Sequence, residues 1–532
     1  MSVILLQGAA LVSLGWSVVV ITIQCIGIYK LFRYNSAPLP KPVSPTLDED
    51  EVPHITIIRP VKGVEVGLYE CLASTFRQAY PKAKLTIYLC VSSTDDPAYP
   101  ILRQLIADFP GFDAELLVEE DDPLLHGTRG HVNNLGPNPK IRNISRAYRE
   151  AKGDVIWIVD CNIWVTTGAA GRMIDKLCGF QPGGGRTTPY KFVHQLPLVV
   201  DIESPDTEEV QSLLLANPDI PHGSAGILGR GGRLEEMFLA TTHAKFYSAI
   251  NTAGVAPCII GKSNMFRKSH LERFTDPAQN PILATTEGSR GRGIDFFSSY
   301  ICEDHLIGDL IFKSGLPGFK NHGLVFGEVA IQPMSGMSTA AYIARRVRWL
   351  RVRKWTVIVA TLIEPGVESL LCSLHLAFAL TTLPWFHNTL GIPPTRSAMA
   401  AIWTLSVSIW MLVDRWLSSK LYECQSVDVD EDTPAFARGT SRPGGIKARA
   451  FSEWLPAWLG RELLALPIWT WAVLLGTTVS WRGRRFRVRM DMSVVEIDAK
   501  PQWSQLHQVV TTSRQQPLGM MTPRSRSKGR VD

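Results

Sequence analysis

None of the nine cysteines stands in a CxxC pair, and an odd, scattered set argues against both a disulfide framework and a zinc site. A reducing, cytosol-facing globular part fits that usage. There is also no basic stripe. The 55 Lys and Arg nearly balance 49 Asp and Glu, and the excess of +6 gathers in short clusters, so a nucleic-acid groove is not expected. Two glycine-rich stretches, GGGR (183–186) and GILGRGGR (226–233), lack the Lys-Ser/Thr of a phosphate loop and a strand before it, so they read as surface insertions. Residues 3–29 carry no Asp, Glu, Lys or Arg, long enough for a bilayer-crossing helix. With no basic start or small-residue cleavage site it reads as an uncleaved anchor, and Lys30, Arg33 and Lys41 place the globular part on the cytosolic side.

Past the anchor (1–32) and a Pro-rich, then acidic linker (33–53), a domain at 54–340 alternates strand and helix patterns. HITIIRP (54–60), KLTIYLCV (84–91), AELLVE (114–119) and DVIWIVD (154–160) read as strands, with helical runs near 67–79, 98–109 and 141–151. Such alternation predicts an α/β domain with a mostly parallel sheet. From 341 to 365 arginines interleave with Trp349, Trp355 and aliphatics, the pattern of a basic interfacial helix. A membrane region (366–482) comes next. Its apolar runs at 369–390 and 397–413 flank GIPPTR and predict a membrane hairpin. A third run, 463–481, contains Pro467 and precedes Arg482, Arg484, Arg485, Arg487 and Arg489. If it spans, these arginines end in the lumen against the positive-inside rule; a re-entrant segment avoids the conflict. The stretch 483–532 reads as a basic polar tail, disordered beyond about 500.

Four motifs then stand in order. VSSTDDPA (91–98) offers Asp95 and Asp96 after a strand, VDCN ends a strand on Asp160, ICEDHLIGD (301–309) offers Glu303 and Asp304, and RRVRW (345–349) offers Arg345, Arg348 and Trp349. A carboxylate where a buried strand leaves the core faces a ligand crevice or merely caps a turn, and Asp160 alone does not distinguish the two.

The set, with RPVKGVE (59–65), NPKIRN (138–143), FVHQLP (192–197), TTHAKFY (241–247), IEPGVESL (363–370) and VSWRGRRFRVR (479–489), resembles the ceramide glucosyltransferases over most of 55–490. The resemblance implies a GT-A-type nucleotide-sugar domain with transmembrane helices at both ends, moving glucose from UDP-glucose to the primary hydroxyl of ceramide with inversion, in Golgi or ER membrane. It implies Asp304 as the base, though a helix N-cap is the plainer role. Asp95, Asp96 and Lys140 become donor-side contacts, Arg345 and Arg348 receive the leaving diphosphate, and Trp349 packs at the acceptor or membrane edge. Asp160 becomes the ligand of a divalent cation, Mg2+ or Mn2+. A second carboxylate is missing, because Asn162 stands where the usual Asp-x-Asp has one. His194 and His243 match family histidines, as cleft-lining or core groups, and Cys258 matches a family cysteine, with a buried inert thiol as its simpler reading. Asn143 and Ser145 form a glycosylation sequon in a domain expected to be cytosolic, so no use is expected of it. The competing readings are a processive polysaccharide synthase, which has Gln where Arg345 stands, and a non-catalytic lipid-binding scaffold. The insertions near 120–136, 200–232 and 275–296, and the 420–450 loop, have no counterpart in the family pattern.

Overall fold

A computed structural model describes residues 3–126, 135–202, 231–283 and 291–497. The expected tail beyond 500 and parts of the three insertions lie outside the described residues.

The chain opens with helix α1 (Val3–Asn35) and enters a seven-stranded sheet. Strand β1 (Ile55–Pro60) leads through α2 (Leu68–Phe76) to β2 (Leu85–Val91), then through α3 (Tyr99–Asp108) to β3 (Asp113–Val118), and through α4 (Pro139–Arg149) to β4 (Val155–Val159). These are the four strands expected from the apolar runs. Helix α5 (Ala169–Cys178), β5 (Tyr190–Asp201), α6 (Gly231–Phe238), α7 (Ala244–Ala253), β6 (Ser263–Arg267), α8 (Lys268–Phe274), α9 (Glu303–Lys313) and β7 (Lys320–Met334) complete the domain. The strand order is β3-β2-β1-β4-β6-β5-β7, and only β6 runs antiparallel to its neighbours. Every residue of β1, β2 and β4 is buried because both sheet faces are covered: Ile57, Leu89 and Trp157 enter one core, Ile58, Tyr88 and Ile156 the other. The chain steps outward from β1 to β2 and β3, then returns to β4 on the other side of β1. This reversal opens a crevice at the C-terminal ends of β1 and β4, where open α/β sheets bind ligands.

The membrane part is built inside out. The buried stripe of α1 is Ala10, Ser13, Ser17, Val20, Gln24, Gly27 and Leu31, alternately three and four apart, while Ile4, Leu11, Val12, Val18 and Val19 face outward. Small and polar residues let helices approach closely and bond, as lipid-embedded packing requires. Trp16 Nε1 donates to Gly366 O at 2.9 Å and Gln24 Nε2 to Val367 O at 3.2 Å. After β7 come α10 (Thr339–Arg353), α11 (Ile358–Ile363), α12 (Ser369–Thr382), α13 (Arg396–Tyr422) and α14 (Phe451–Val473). Among the described residues α1 and α13 are long and apolar enough to cross a bilayer; the α11–α12 pair, bent by 75°, makes a third candidate.

The third apolar run is not a continuous span. Helix α14 ends at Val473, and its last expected residues form β8 (Thr478–Trp481), which joins β9 (Arg484–Val488) and β10 (Val494–Glu496) in a small antiparallel sheet. The stretch expected to begin a polar tail at 483 is therefore ordered through Glu496. Its alternate residues Phe486, Val488 and Val494 are buried in the same core as Ile58 and Tyr88. Just before α14, Arg449 pairs with Glu236 at 3.0 Å, so both ends of the helix rest on the α/β domain and it cannot cross a bilayer while keeping them there. The 420–450 loop is likewise docked: Asp428 pairs with Arg172 at 2.6 Å and Ser426 Oγ donates to Gly327 O at 2.7 Å.

Buried charges join the helices. Lys245 on α7 meets Asp414 on α13 at 2.6 Å, and Arg461 on α14 meets Glu368 at 2.6 Å and Asp414 at 3.6 Å, with Glu462 beside it. Removing one member strands the others. Arg461→Met is expected to destabilise the detergent-solubilised protein by about 3–5 kcal/mol, read as a lowered Tm and reduced yield of folded chain. Unchanged melting would show that the cluster does not hold the helices.

Candidate active site

Asp160 leaves β4 at the crevice. Its backbone N–H donates to Lys262 O at 3.0 Å because β6 runs beside β4, and Arg59, fully buried at the end of β1, holds the next turn by donating to Cys161 O at 3.3 Å and Ile163 O at 2.9 Å. Burial lowers the Arg59 pKa to about 10, still cationic at neutral pH. Lys140 comes from the first turn of α4, where Asn138 caps the helix by accepting from Lys140 N at 2.8 Å and Ile141 N at 3.2 Å. Asn138 Nδ2 reaches Glu303 Oε2 at 3.2 Å, tying α4 to α9.

The centre is one ammonium shared by carboxylates from two elements. Lys140 Nζ lies 2.9 Å from Asp160 Oδ1 and 3.1 Å from Glu303 Oε1, and Lys262 Nζ lies 3.4 Å from Asp160 Oδ2. Burial opposes charge on Lys140, but Asp160, Glu303 and Asp304 outweigh it and raise its pKa. For Asp160, burial is likewise overcome, by Lys140 and Lys262, and its pKa falls. Burial dominates for Glu303 and Asp304, whose pKa values rise. Two carboxyl environments thus diverge around one lysine, the pattern that separates a permanent anion from a proton acceptor. Asp304, on the first turn of α9, faces Gly261: a Cβ there would stand 2.7 Å from its Oδ2.

Asp96 has a structural task. Gly63 N–H donates to its two oxygens at 2.9 and 3.1 Å and Ala98 N–H to Oδ1 at 3.0 Å, so its carboxylate holds the loop after β1. Asp95 is exposed beside it. Arg345 pairs with Glu235 at 2.9 Å and lies 4.8 Å from the centre of the Trp349 ring. Burial, with Arg345 and Arg482 beside it, lowers the Arg348 pKa to about 10. Trp349, half-buried, packs against the cluster of Val199 and Met334 at the ends of β5 and β7. His194 does not line the crevice: it is fully enclosed, with Nδ1 2.5 Å from Tyr247 Oη, and burial lowers its pKa to about 3. His243 stacks on Tyr247 at 5.0 Å and is neutral for the same reason, its pKa near 3. Cys258 is half-buried against the core beside β5 and β7, and burial pushes its thiol up to about 12. The sequon is unusable, because the Asn143 amide is buried and donates to Val61 O and Cys90 O at 3.2 and 2.9 Å. Arg351, Arg353 and Lys354, in the stretch expected as a basic interfacial helix, have partners inside the protein: Thr478 O at 2.6 Å, Glu364 at 2.7 Å and Gly476 O at 3.0 Å.

Lys262 and Arg482 carry no local sequence signal as site residues. Lys262 faces Asp160 only through the β4–β6 register, and Arg482 arrives on the C-terminal sheet. Among the described residues no group of three or more His, Cys, Asp or Glu gathers to hold a metal. Asp160 offers a single carboxylate, and Asn162 is engaged with Glu65 at 3.2 Å. One carboxylate suffices for Mg2+ when phosphate and water complete the shell, so the residues fit a cation that arrives with a diphosphate.

Residues 14–202 and 221–494 match the model of glycosyl transferase family 21. The chain belongs to that family. It is 57% identical to a ceramide glucosyltransferase of Pyricularia oryzae over 93% of this chain and 96% of the relative, and 48% identical to one of Gibberella zeae over 91% and 92%. A solved mannosyltransferase of Pyrobaculum calidifontis, in complex with GDP-mannose and Mn2+, aligns at 15% identity over 79% of this chain and 98% of its own, with a TM-score of 0.37. The family 21 chain is a glycosyltransferase with an α/β domain, joined to helices long and apolar enough to cross a membrane.

Lys140→Met is expected to leave Asp160 and Glu303 without their shared cation, lowering turnover at least tenfold and the Tm together. Full activity with unchanged melting would remove Lys140 from the site.

Proposed function

We propose that this family 21 enzyme transfers glucose from UDP-glucose to the primary hydroxyl of ceramide with inversion at the anomeric carbon, giving glucosylceramide. The observation that carries the chemistry is the divergence of Asp160 and Asp304 around Lys140; the names of the relatives at 57% and 48% identity support the substrates. An alcohol is a weak nucleophile until its proton is taken. Asp304 accepts that proton as the ceramide oxygen bonds to the anomeric carbon, and the bond to the UDP oxygen breaks on the opposite face. Lys140 stabilises the ionised carboxylates and fixes α4 against α9. Arg345 and Arg348 meet the charge released on the diphosphate. Asp160 is the residue to hold Mg2+ or Mn2+, which when bound neutralises diphosphate charge. The enzyme lies in Golgi or ER membrane with its α/β domain in the cytosol, a reading that the charge asymmetry about α1 supports.

Asp304→Asn keeps the volume and loses the base, so turnover falls about 10²–10⁴-fold while UDP still binds. Asp160→Asn instead weakens donor binding. The base works only when ionised and burial raises its pKa, so kcat/KM declines as pH falls through a value above the ordinary carboxylate range. Near-wild-type turnover in Asp304→Asn, or an acid limb unchanged in that variant, would sink the assignment.

The product is one hexose on one lipid. Labelled UDP-glucose and ceramide given to the purified protein should yield a single organic-extractable glycolipid. Label in an insoluble glycan, indifferent to ceramide, would favour a polysaccharide synthase.

A further inference from the structure

Trp481 pairs with Arg484 across the β8–β9 hairpin, leaving Arg482-Gly483 as a two-residue turn with φ of +51° and +75°. Two successive positive φ values make a type I′ turn, for which Asn-Gly is the ordinary sequence because asparagine tolerates the left-handed region. Arginine is unfavourable there, and such residues persist where the surroundings fix them. Here the surroundings do. The inner face of the sheet is buried in the domain core, Val494 N–H donates to Ser299 O at 2.9 Å, and Arg351 of α10 donates to Thr478 O at 2.6 Å. Lys62 Nζ donates to Arg482 O at 3.1 Å, which lays the turn on the loop after β1 that Asp96 holds.

The turn therefore bridges the crevice from β1 to α10. The Arg482 guanidinium lies 5.2 Å from the centre of the Trp481 ring, with its backbone carbonyl on Lys62, and from there its charge reaches both Asp160 and Arg348. Among the described residues neither Arg348 nor Arg482 forms an ion pair, and Arg345 alone has Glu235. Arg345, Arg348 and Arg482 thus gather positive charge at this end of the crevice, with Glu235 ion-paired to Arg345 alone, an arrangement that an entering anion relieves. Two negative charges at close spacing are what a nucleoside diphosphate brings.

We propose that Arg482 is a third diphosphate-binding arginine, so that the C-terminal sheet supplies part of the donor site. The proposal rests on the reading of the donor as a UDP-sugar. Arg345 and Arg348 approach from α10 and Arg482 from the hairpin, and together they clamp the leaving group while Lys140 and Lys262 stay with the carboxylates.

Full-length protein in detergent is titrated with UDP and with uridine, which has no phosphate. Failure of the wild type to bind UDP would refute the donor reading itself. If the wild type binds, Arg482→Asn is expected to weaken UDP about 10- to 100-fold and raise the KM for UDP-glucose similarly, with uridine affinity and the KM for ceramide unchanged. Its Tm should stay level or rise, because asparagine suits the turn. Arg482→Lys, which keeps the charge, should recover part of the UDP affinity. A folded Arg482→Asn with wild-type UDP affinity overturns the proposal, as does an Arg482→Lys no better than Arg482→Asn.

Discussion

The site depends on a single buried ammonium. Lys140 is held by the N-cap of α4 and reaches Asp160 from the end of β4 and Glu303 from the start of α9. Without it three carboxylates, Asp160, Glu303 and Asp304, would face each other in a poorly hydrated crevice, and mutual repulsion would protonate some or push the elements apart. With it, the first is held ionised and the other two keep raised proton affinity. Neighbouring carboxyl groups acquire different tasks because they differ in cation contact and burial, not in residue type. Gly261 completes the arrangement: any side chain there would collide with Asp304.

The fold around this centre was legible where the chain repeats a simple pattern. Continuous apolar runs such as ITIIRP and LTIYLCV mark strands buried on both faces, and the sheet bears them out. Asp160 and Asp304 were legible as the residues at which a strand ends and a helix begins. Register was not. Lys262 reaches Asp160 because β6 runs antiparallel to β4, and no local pattern announces that pairing. His194 was left between cleft and core because its neighbours resemble a family stretch, and its place in β5 puts it in the core, where Tyr247 satisfies one nitrogen. The 463–481 run stayed open between a span and a re-entrant segment, because apolar composition reports burial without saying whether lipid or protein does the burying. Val479 is buried by the α/β core.

That last distinction organises the membrane half. Helices meant for lipid place small and polar residues inside and large apolar ones outside, as α1 does. Helix α14 instead buries Arg461 and Glu462 among its neighbours. The arginines that follow it, from 482 to 489, lie beside the α/β domain. Their density reflects two demands at once. Alternate positions of β9 enter the core, and those between them face outward, where charge is tolerated.

Helix α10 joins the two halves. On one side Arg345 and Arg348 border the crevice; on the other Arg346 pairs with Glu364 at 3.6 Å, and Arg353 meets the same carboxylate at 2.7 Å, beside α11. Further along, Arg351 and Lys354 grip the backbone where α14 gives way to β8. A helix so heavily cationic would be driven apart from other basic segments if its charges were free. Here most are spent on carbonyls and carboxylates of specific partners, which fixes its rotation and leaves Arg348 turned to the crevice without a counter-ion. One rigid element thereby joins the apolar helices to the arginines that border the crevice and fixes the one relative to the other.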